Sequence, residues 1–323
     1  MWKRLTLVLL FAAVPFAGTV AAADAYPNRP IRIIVGFPPG GSDDYIARLL
    51  APKLTEKLGQ PVVVENRAGA AANIAAAAVA HAAPDGYTLF LGPTSLLAAS
   101  RSLYKKLDYD LLKDFEFVSL LGTGPTVLLA NPALPVKSLP ELVALARAKT
   151  KSVRYGSAGI GSLAHLTMES LQSRAGIDLL HVPYKGAAPN ATALTAGEID
   201  VSFAGVSSSL QLVNAGKLNA LAVSGRTRVV SMPDVPTIAE SGYPGFNVTN
   251  TYGVLAPEGT PAAVVKVLNS ELQLLLSAED VRSRFATQGI DAAGSTPMEY
   301  RALTDGEATM WARVVKSANI STE

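Results

Sequence analysis

The chain has 323 residues, among them 28 Lys and Arg, 26 Asp and Glu, three His and no Cys. This balance of charge, without a cluster of basic residues, argues against a nucleic acid or an anionic membrane surface as the partner, because both are recognised through concentrated positive charge. Three His without any Cys also exclude a His/Cys metal cluster.

The N-terminus has the pattern of a cleavable secretory signal peptide. Lys3 and Arg4 precede an apolar run over residues 5–16, and small residues follow up to Ala23, which is the order found in such peptides. The apolar run is shorter than the about 20 residues of a membrane-spanning helix, although an uncleaved anchor stays the alternative. We predict that residues 1–23 are removed and that the mature chain is free in the periplasm, since no Cys is available for a lipid anchor.

Predicted strands and helices then alternate in two successive sets, a pattern typical of an α/β fold with mostly parallel sheets flanked by helices. In the first set, Ser42 predicts the N-cap of a helix that ends at Leu58, before Gly59. The other elements predicted for this set are strands at 31–36, 61–65 and 87–91 and an alanine-rich helix at 70–82.

The second set begins near Val118, and caps mark several of its helices. Residues 138–141 predict a capping box, and residues 260–261 and 296–299 predict the starts of the last two long helices. The remaining predicted elements are strands at 127–130, 153–155, 179–184, 199–203, 218–223 and 251–256 and a helix at 163–174. Two such sets in about 300 residues indicate two domains.

Two of the predicted strand-to-helix loops share a chemistry. The loops at 40–42 and 159–162 each place glycines before a serine that opens a helix. Helix N-termini present unpaired backbone N–H groups and the positive end of the helix dipole, so each can hold an anion without an arginine. Two such loops, one in each set, would suit a ligand with a carboxylate at both ends. Ordinary connections of an α/β fold explain the same spacing equally well.

Motifs for catalysis and for nucleotide cofactors are weak. No G-x-x-x-x-G-K-[ST] is present, and the glycines of 156–161 stand in the wrong order for a dinucleotide fingerprint, so we expect no cofactor. Ser157 or Ser162 could act as a nucleophile with His165, but a serine at the start of a helix is more often a cap. A periplasmic hydrolase that uses Ser162 and His165 is kept as an alternative function.

Seven short segments together are characteristic of one protein family, whereas any one of them alone would not be. They are GFPPGGSDD at 36–44, ENRAGA at 65–70, APDGYTL at 83–89, YGSAG at 155–159, HVPYKGAAP at 181–189, PDVPT at 233–237 and ESG at 240–242. In this order, and over essentially the whole mature chain, they resemble the Bug-type substrate-binding receptors of tripartite tricarboxylate transporters.

The resemblance implies two α/β domains joined by two strand crossovers, which close on a small organic acid like a Venus flytrap. By analogy, the first domain is 24–124 with 249–323, and the second is 125–248. A receptor of this kind is not an enzyme. It would act as a monomer and deliver its carboxylate ligand to membrane transporter subunits or to a sensor protein.

The resemblance also implies which residues meet the ligand. Those from the first domain are Phe37, Gly40, Gly41, Ser42, Asp44, Thr94 and Ser95. Those from the second domain are Ser157, Ala158, Gly161, Ser162, His165, Ala204 and Gly205. Bound waters commonly complete such contacts.

Two departures from the family's usual sequence bear on the ligand. Ala71 and Ala72 stand where the family often has Gly, which affects how closely a ligand can approach the backbone. Ala204 and Gly205 follow Phe203 where the family often has Asp and Asn, so the wall of the implied ligand site is less polar there. A bulkier or more apolar carboxylate would fit this wall, and a di- or tricarboxylate, an amino acid and an aromatic acid all stay open. A binding fold used only as an interaction or scaffold module is a further alternative.

Overall fold

The computed structural model describes residues 26–321, so the predicted signal peptide and its cleavage site lie outside the described residues. Over this range strands and helices alternate, as the sequence predicts. Within residues 26–321, every helix falls short of the length or the apolar character needed to span a bilayer.

The first set of elements forms a parallel three-stranded unit with helices beside it. Its elements are β1 (Ile31–Val35), α1 (Ser42–Leu58), β2 (Val62–Asn66), α2 (Asn73–Ala80), β3 (Thr88–Pro93) and α3 (Thr94–Leu103). Strand β1 lies between β2 and β3 and pairs with both in parallel. The carboxyl ends of the three strands therefore lie at one edge, where the loops to α1 and α3 begin.

The second set has a similar organisation around three other parallel strands. Its elements are β4 (Phe115–Ala130), α4 (Leu139–Ala148), β5 (Arg154–Ser157), α5 (Leu163–Ala175), β6 (Leu180–Pro183), α6 (Ala187–Ala196), β7 (Val201–Gly205), α7 (Val206–Asn214) and β8 (Asn219–Val223). Strand β5 pairs in parallel with β6 and β7. The last elements are β9 (Thr249–Pro257), α8 (Ala262–Ser277), α9 (Glu279–Thr287), β10 (Asp291–Ala292) and α10 (Pro297–Ser317).

Two long strands connect the sets. The strand order is β2-β1-β3-β9-β4-β7-β5-β6, with β8 and β10 also paired to β4. Every antiparallel pair in this order involves β4 or β9. Residues up to Pro125 of β4 pair with β9, whereas Thr126 onward pairs with β7 and β8. The chain thus passes from one set to the other in β4 and returns just before Thr249. The domain boundaries given above stay a prediction.

The last helix closes the core of the first set. Tyr300 and Trp311 of α10 are fully buried, and the Tyr300 hydroxyl donates a hydrogen bond to Thr94 Oγ1 at 2.8 Å. The Tyr300 ring also packs edge-on against Phe117 of β4, with centroids 5.2 Å apart. Burial of one large apolar side chain stabilises a fold by about 1.5–3 kcal/mol, so α10 holds the C-terminal segment firmly against β4 and α3.

Helix α1 begins differently from the prediction. Its N-cap is Gly41, in an extended conformation and without a side-chain cap, and Ser42 is the first helical residue. The predicted end is confirmed, because Gly59 adopts the left-handed conformation and closes the helix. The predicted capping box at Thr296 and Glu299 is also present in full.

At Ser138 only half of the predicted capping box forms. The Ser138 side chain accepts a hydrogen bond from Glu141 N. The Glu141 carboxylate instead accepts from Lys137 N at 2.8 Å, one residue before the N-cap.

The helix predicted at 70–82 is shorter, because tertiary packing overrides alanine's helix preference at its start. Ala70, Ala71 and Ala72 all have positive φ angles, of 45°, 53° and 73°, and α2 begins only at Asn73. Ala72 packs directly on Gly36, where any added Cβ would overlap Ala72. This close approach between β1 and the start of α2 requires the turn.

Strand β9 has no room for a side chain at Gly253. A Cβ added there would overlap the hydroxyl oxygen and Cζ of Tyr300, whose ring is enclosed by the core. We expect Gly253→Ala to lower the free energy of unfolding by about 1–3 kcal/mol, the usual cost of overpacking. Urea denaturation measures the change.

Gly306 of α10 provides the matched control. It lies in an exposed part of the helix, and a Cβ added there meets no atom within 4 Å. Gly306→Ala should raise the unfolding free energy by about 0.5–1 kcal/mol, since alanine loses less entropy in a helix. Equal stability of Gly253→Ala and the unaltered protein would contradict the packing of β9 on α10.

Candidate functional site

The loop between β1 and α1 is held by one carboxylate. Asp44 accepts hydrogen bonds from Gly40 N at 3.0 Å, Asn66 Nδ2 at 2.9 Å and Arg48 Nε at 2.9 Å, and Asn66 also donates to Phe37 O at 3.0 Å. Burial opposes ionisation, but the hydrogen bonds from Arg48, Gly40 and Asn66 outweigh it and hold the pKa of Asp44 below its usual value. The acceptor atoms of Asp44, predicted to meet ligand, are therefore occupied within the loop.

Asp43, the preceding residue, is buried without comparable support. Its Oδ1 accepts no hydrogen bond from any residue between 26 and 321. Burial, with a smaller effect of the negative charge of Asp44, raises the pKa of Asp43 to about 7, although a hydrogen bond from its own backbone opposes the change. Asp43 in turn contributes, after burial, to a raised pKa of the Tyr252 hydroxyl. A second carboxyl group, mostly protonated below neutral pH, thus lies beneath the first loop.

Strand β9 forms a floor beside this loop. Ser95 Oγ donates to Asn250 Oδ1 at 2.9 Å and accepts from Thr251 N at 3.1 Å. The Asn250 and Ser42 side chains partly offset the effect of burial on the pKa of the Tyr252 hydroxyl, so both lie near it. Asn250 and Tyr252, which sequence reasoning missed, thus lie beside the predicted site residues Ser42 and Ser95. Asn250 lies between two threonines and just outside the strand predicted at 251–256, so no sequence signal marked it.

Thr94 lies deeper than the prediction requires. Its side chain is fully buried as the first residue of α3, where it donates to Thr251 O at 3.2 Å and accepts from Tyr300. The segment around Thr94 and Ser95 is thus not a loop: β3 ends at Pro93 and α3 begins at Thr94. Thr94 fixes that start against β9.

The loop between β5 and α5 is held in a similar way. Gly159 and Gly161 have φ angles of 125° and 77°, which residues with a side chain rarely adopt. Ser162 is the N-cap of α5, accepting from His165 N, and its hydroxyl donates to Gly159 O at 2.7 Å. The Gly161 N–H donates to His165 Nδ1 at 3.0 Å. Ala158 O accepts from the backbone of the next loop, so it too is occupied.

Two histidines stack beneath this second loop. The rings of His165 and His181 lie 4.1 Å apart and nearly parallel, and Tyr155 stacks on His181 at 4.6 Å and lies 6.3 Å from His165. Burial lowers the pKa of both histidines to about 4, and for His165 the neighbouring His181 adds to the effect. Both rings are therefore neutral near pH 7. His181 was not predicted, and its Nε2 lies 2.7 Å from Ser157 Oγ.

The geometry does not form the pair that the hydrolase alternative needs. Since His165 Nδ1 accepts from a backbone N–H, its proton resides on Nε2, which points toward Glu169, 3.9 Å away. The Ser162 hydroxyl donates to the Gly159 carbonyl, not to the ring. Ser157 does meet a histidine, but its side chain is fully buried.

The loop after β7 completes the set of predicted residues. Ala204 is partly buried at the end of the strand, and Gly205 is exposed as the N-cap of α7. The Gly205 carbonyl accepts from Ser208 and Ser209 hydroxyls at 2.9 and 2.6 Å. All the predicted site residues thus lie on four strand-to-helix connections, at the strand ends where ligands bind in open α/β sheets. Within residues 26–321, no hydrogen bond joins the first loop to the second.

Solved structures share this arrangement over nearly their full length. Rpa4515 of R. palustris, solved with adipate, is 34% identical with a TM-score of 0.83, covering 91% of this chain and 99% of that one. MatC (Rpa3494) from Rhodopseudomonas palustris, with bound malate, is 34% identical with a TM-score of 0.78, covering 90% and 100%. The fold and its strand-end loops define a two-domain periplasmic binding protein.

Sequence comparison narrows the class. A family model for the tripartite tricarboxylate transporter family receptor matches residues 46–320. Protein BugT of Bordetella pertussis is 39% identical over 317 residues, 98% of this chain and 97% of that protein. The chain belongs to this receptor family, and the predicted Bug-type resemblance is confirmed.

Asp43 makes stability depend on pH in a predictable direction. Its folded pKa of about 7 lies above the ordinary value of 3.8. The stability that the protonated carboxyl group contributes is therefore full below about pH 3.8 and is lost as the pH rises through about 7. Asp43→Asn has no ionisable group at this position and should not lose this stability. Between about pH 5 and about pH 8.5, the variant should gain stability relative to the unaltered protein by on the order of 2 kcal/mol.

Urea denaturation at both pH values measures the difference. Asp305→Asn, at an exposed position of α10, serves as the control and should show none. A constant difference between Asp43→Asn and the unaltered protein at both pH values would contradict the buried, unpaired state of Asp43.

Proposed function

We propose that this protein captures a small organic carboxylate, most simply a linear dicarboxylate, between two domains and delivers it to membrane transporter subunits or to a sensor. The domains are those predicted above, 24–124 with 249–323 and 125–248. Binding would bring the loops of α1 and α5 together by a hinge motion through β4 and β9, driven by contacts made only in the closed state.

One observation carries the proposal: the polar side chains of the two loops form hydrogen bonds to other groups of the same loops and are not free to bind a ligand. Asp44 holds the first loop, and Ser162 and His165 hold the second. The backbone N–H groups of the first helical turns have no acceptor inside their helices. A carboxylate is the ligand group that such N–H groups and the helix dipole favour.

The relatives support the same ligand class. Adipate and malate, each present in a related structure, are both dicarboxylates, and they differ in length and polarity. Ala204 offers no polar side chain at the loop after β7, which favours the more apolar of such ligands. We propose that the predicted residues around the loops contact the ligand, except Asp44, His165 and the fully buried Thr94 and Ser157, which act by positioning the backbone.

We propose binding without turnover. The Ser162 hydroxyl and the His165 ring have separate backbone partners, so neither activates the other as a nucleophile requires. The predicted leader supports action in the periplasm, and we propose that the mature receptor works as a monomer. Native mass spectrometry should show one chain carrying an unaltered acid.

Thermal denaturation with adipate, malate and a wider set of organic acids tests the proposal. A ligand at a hundred times its dissociation constant stabilises the folded state by about 2.7 kcal/mol, which raises the melting temperature measurably. Adipamide, the neutral analogue of adipate, should have no effect. If no acid in the set raises the melting temperature, the carboxylate proposal fails.

Replacing two serine caps in turn distinguishes an effect on carboxylate affinity from an effect on stability. Ser162 caps α5 at the second loop, and Ser138 caps α4, which the predicted site does not include. Replacing either by Ala should cost about 1 kcal/mol of stability. Only Ser162→Ala should also weaken carboxylate binding in calorimetry, because it releases Gly159 O and loosens the second loop. Equal affinities of the two variants would contradict a role for this loop.

A further inference from the structure

A cavity lies beside the strands that join the two sets. It has a volume of about 710 Å³ and is partly open to solvent. It is lined by residues of β4 and β9, of α10, of the loop after β8 and by Asp291 of β10, and it shares no residue with the predicted ligand site. Since successive side chains of a strand point to opposite faces, Thr251 faces α10 while Asn250 and Tyr252 belong to the floor described above.

One wall of this cavity carries hydrogen-bond acceptors without donors. The Thr251 hydroxyl donates to Glu307 Oε1, but Glu307 Oε2 is buried and accepts no hydrogen bond within residues 26–321. Oδ1 of Asn247, in the loop between β8 and β9, is also buried without a donor within these residues. Burial raises the pKa of Glu307 to about 7, as expected of a carboxyl group without a cation beside it. Leaving buried acceptors unpaired is unfavourable, so this wall would be stabilised by N–H donors.

The same cavity is lined by a positive charge without a partner. Arg226, in the loop after β8, is exposed and lines the cavity. Within the described part of the chain, its guanidinium forms neither an ion pair nor a side-chain hydrogen bond. The apolar side chains of Leu303 and Met310 of α10 line the cavity as well, and Leu303 is 39% exposed.

We propose that this cavity binds a small zwitterion with an aliphatic body, of the amino-acid class. Its ammonium group would lie toward Glu307 and Asn247, its carboxylate toward Arg226, and its aliphatic part along Leu303 and Met310. The volume is in the range of small-molecule sites, about 300–1,000 Å³. Arg226 belongs to the second set and Glu307 to the last helix, so the ligand would connect the two sides of the crossing strands.

Calorimetric titration with L-leucine tests the proposal, with two analogues that each lack one charge. Isopentylamine lacks the carboxylate, and 4-methylpentanoate lacks the ammonium group. We expect both to bind at least about tenfold more weakly than L-leucine, since each loses one charged hydrogen-bonding group. Equal binding of either analogue, or no heat from L-leucine at millimolar concentration, would overturn the proposal.

Variants locate the site and separate it from the proposed carboxylate cleft. Glu307→Gln and Arg226→Gln should each weaken L-leucine binding at least about tenfold while leaving the melting-temperature rise with carboxylates unchanged. Asp305→Asn and Arg313→Gln, at exposed positions of α10 that do not line the cavity, are the controls and should bind like the unaltered protein. L-leucine binding that is lost in Ser162→Ala but kept in Glu307→Gln would place the ligand in the cleft and refute the second site.

Discussion

The pairing of β4 with β9 is the constraint on which the rest of the structure depends. Both strands are buried, and buried backbone groups must find partners. The 16 residues of β4 meet this requirement by changing partners along the strand, from β9 to β7 and β8. The change falls at Pro125, a residue without an N–H to donate, so the strand passes between the sets at a position that needs one hydrogen bond fewer. Pro125 pairs with Thr249 of β9, so both connecting strands cross between the sets at this level.

Both principal loops are organised in the same way, although their sequences differ. In the first, Asp44 gathers the backbone of Gly40 and the side chains of Arg48 and Asn66. In the second, His165 and Ser162 tie Gly161 and Gly159. Polar side chains that satisfy one another within a loop leave it ordered before a ligand arrives. Ordering in advance reduces the entropy lost on binding, which suits a receptor that must hold a small molecule with few contacts.

Apart from Asp44, whose pKa is lowered by its hydrogen bonds, several buried titratable groups share a pH range in which they are neutral. Asp43 and Glu307, on opposite sides of β9, have pKa values raised by burial to about 7. His165 and His181 have theirs lowered by burial to about 4. Between these values the carboxyl groups are mostly protonated and the imidazoles uncharged. The cost of burying charge is therefore smallest in mildly acidic to neutral solution, since each group is in the form that burial favours.

The sequence alone was enough to predict the alternating elements, the glycine end of α1, the caps of α5 and α10 and the family, because these depend on neighbouring residues or on short motifs. The remaining features depend on tertiary contacts. Ala70 to Ala72 adopt a left-handed turn because Ala72 packs on Gly36, and Asp44 is turned inward by Asn66, a residue of the next strand. Asn250, Tyr252 and Glu307 gain their surroundings from segments distant in sequence. Local propensity cannot encode such contacts, since their energies exist only once the chain has folded back on itself.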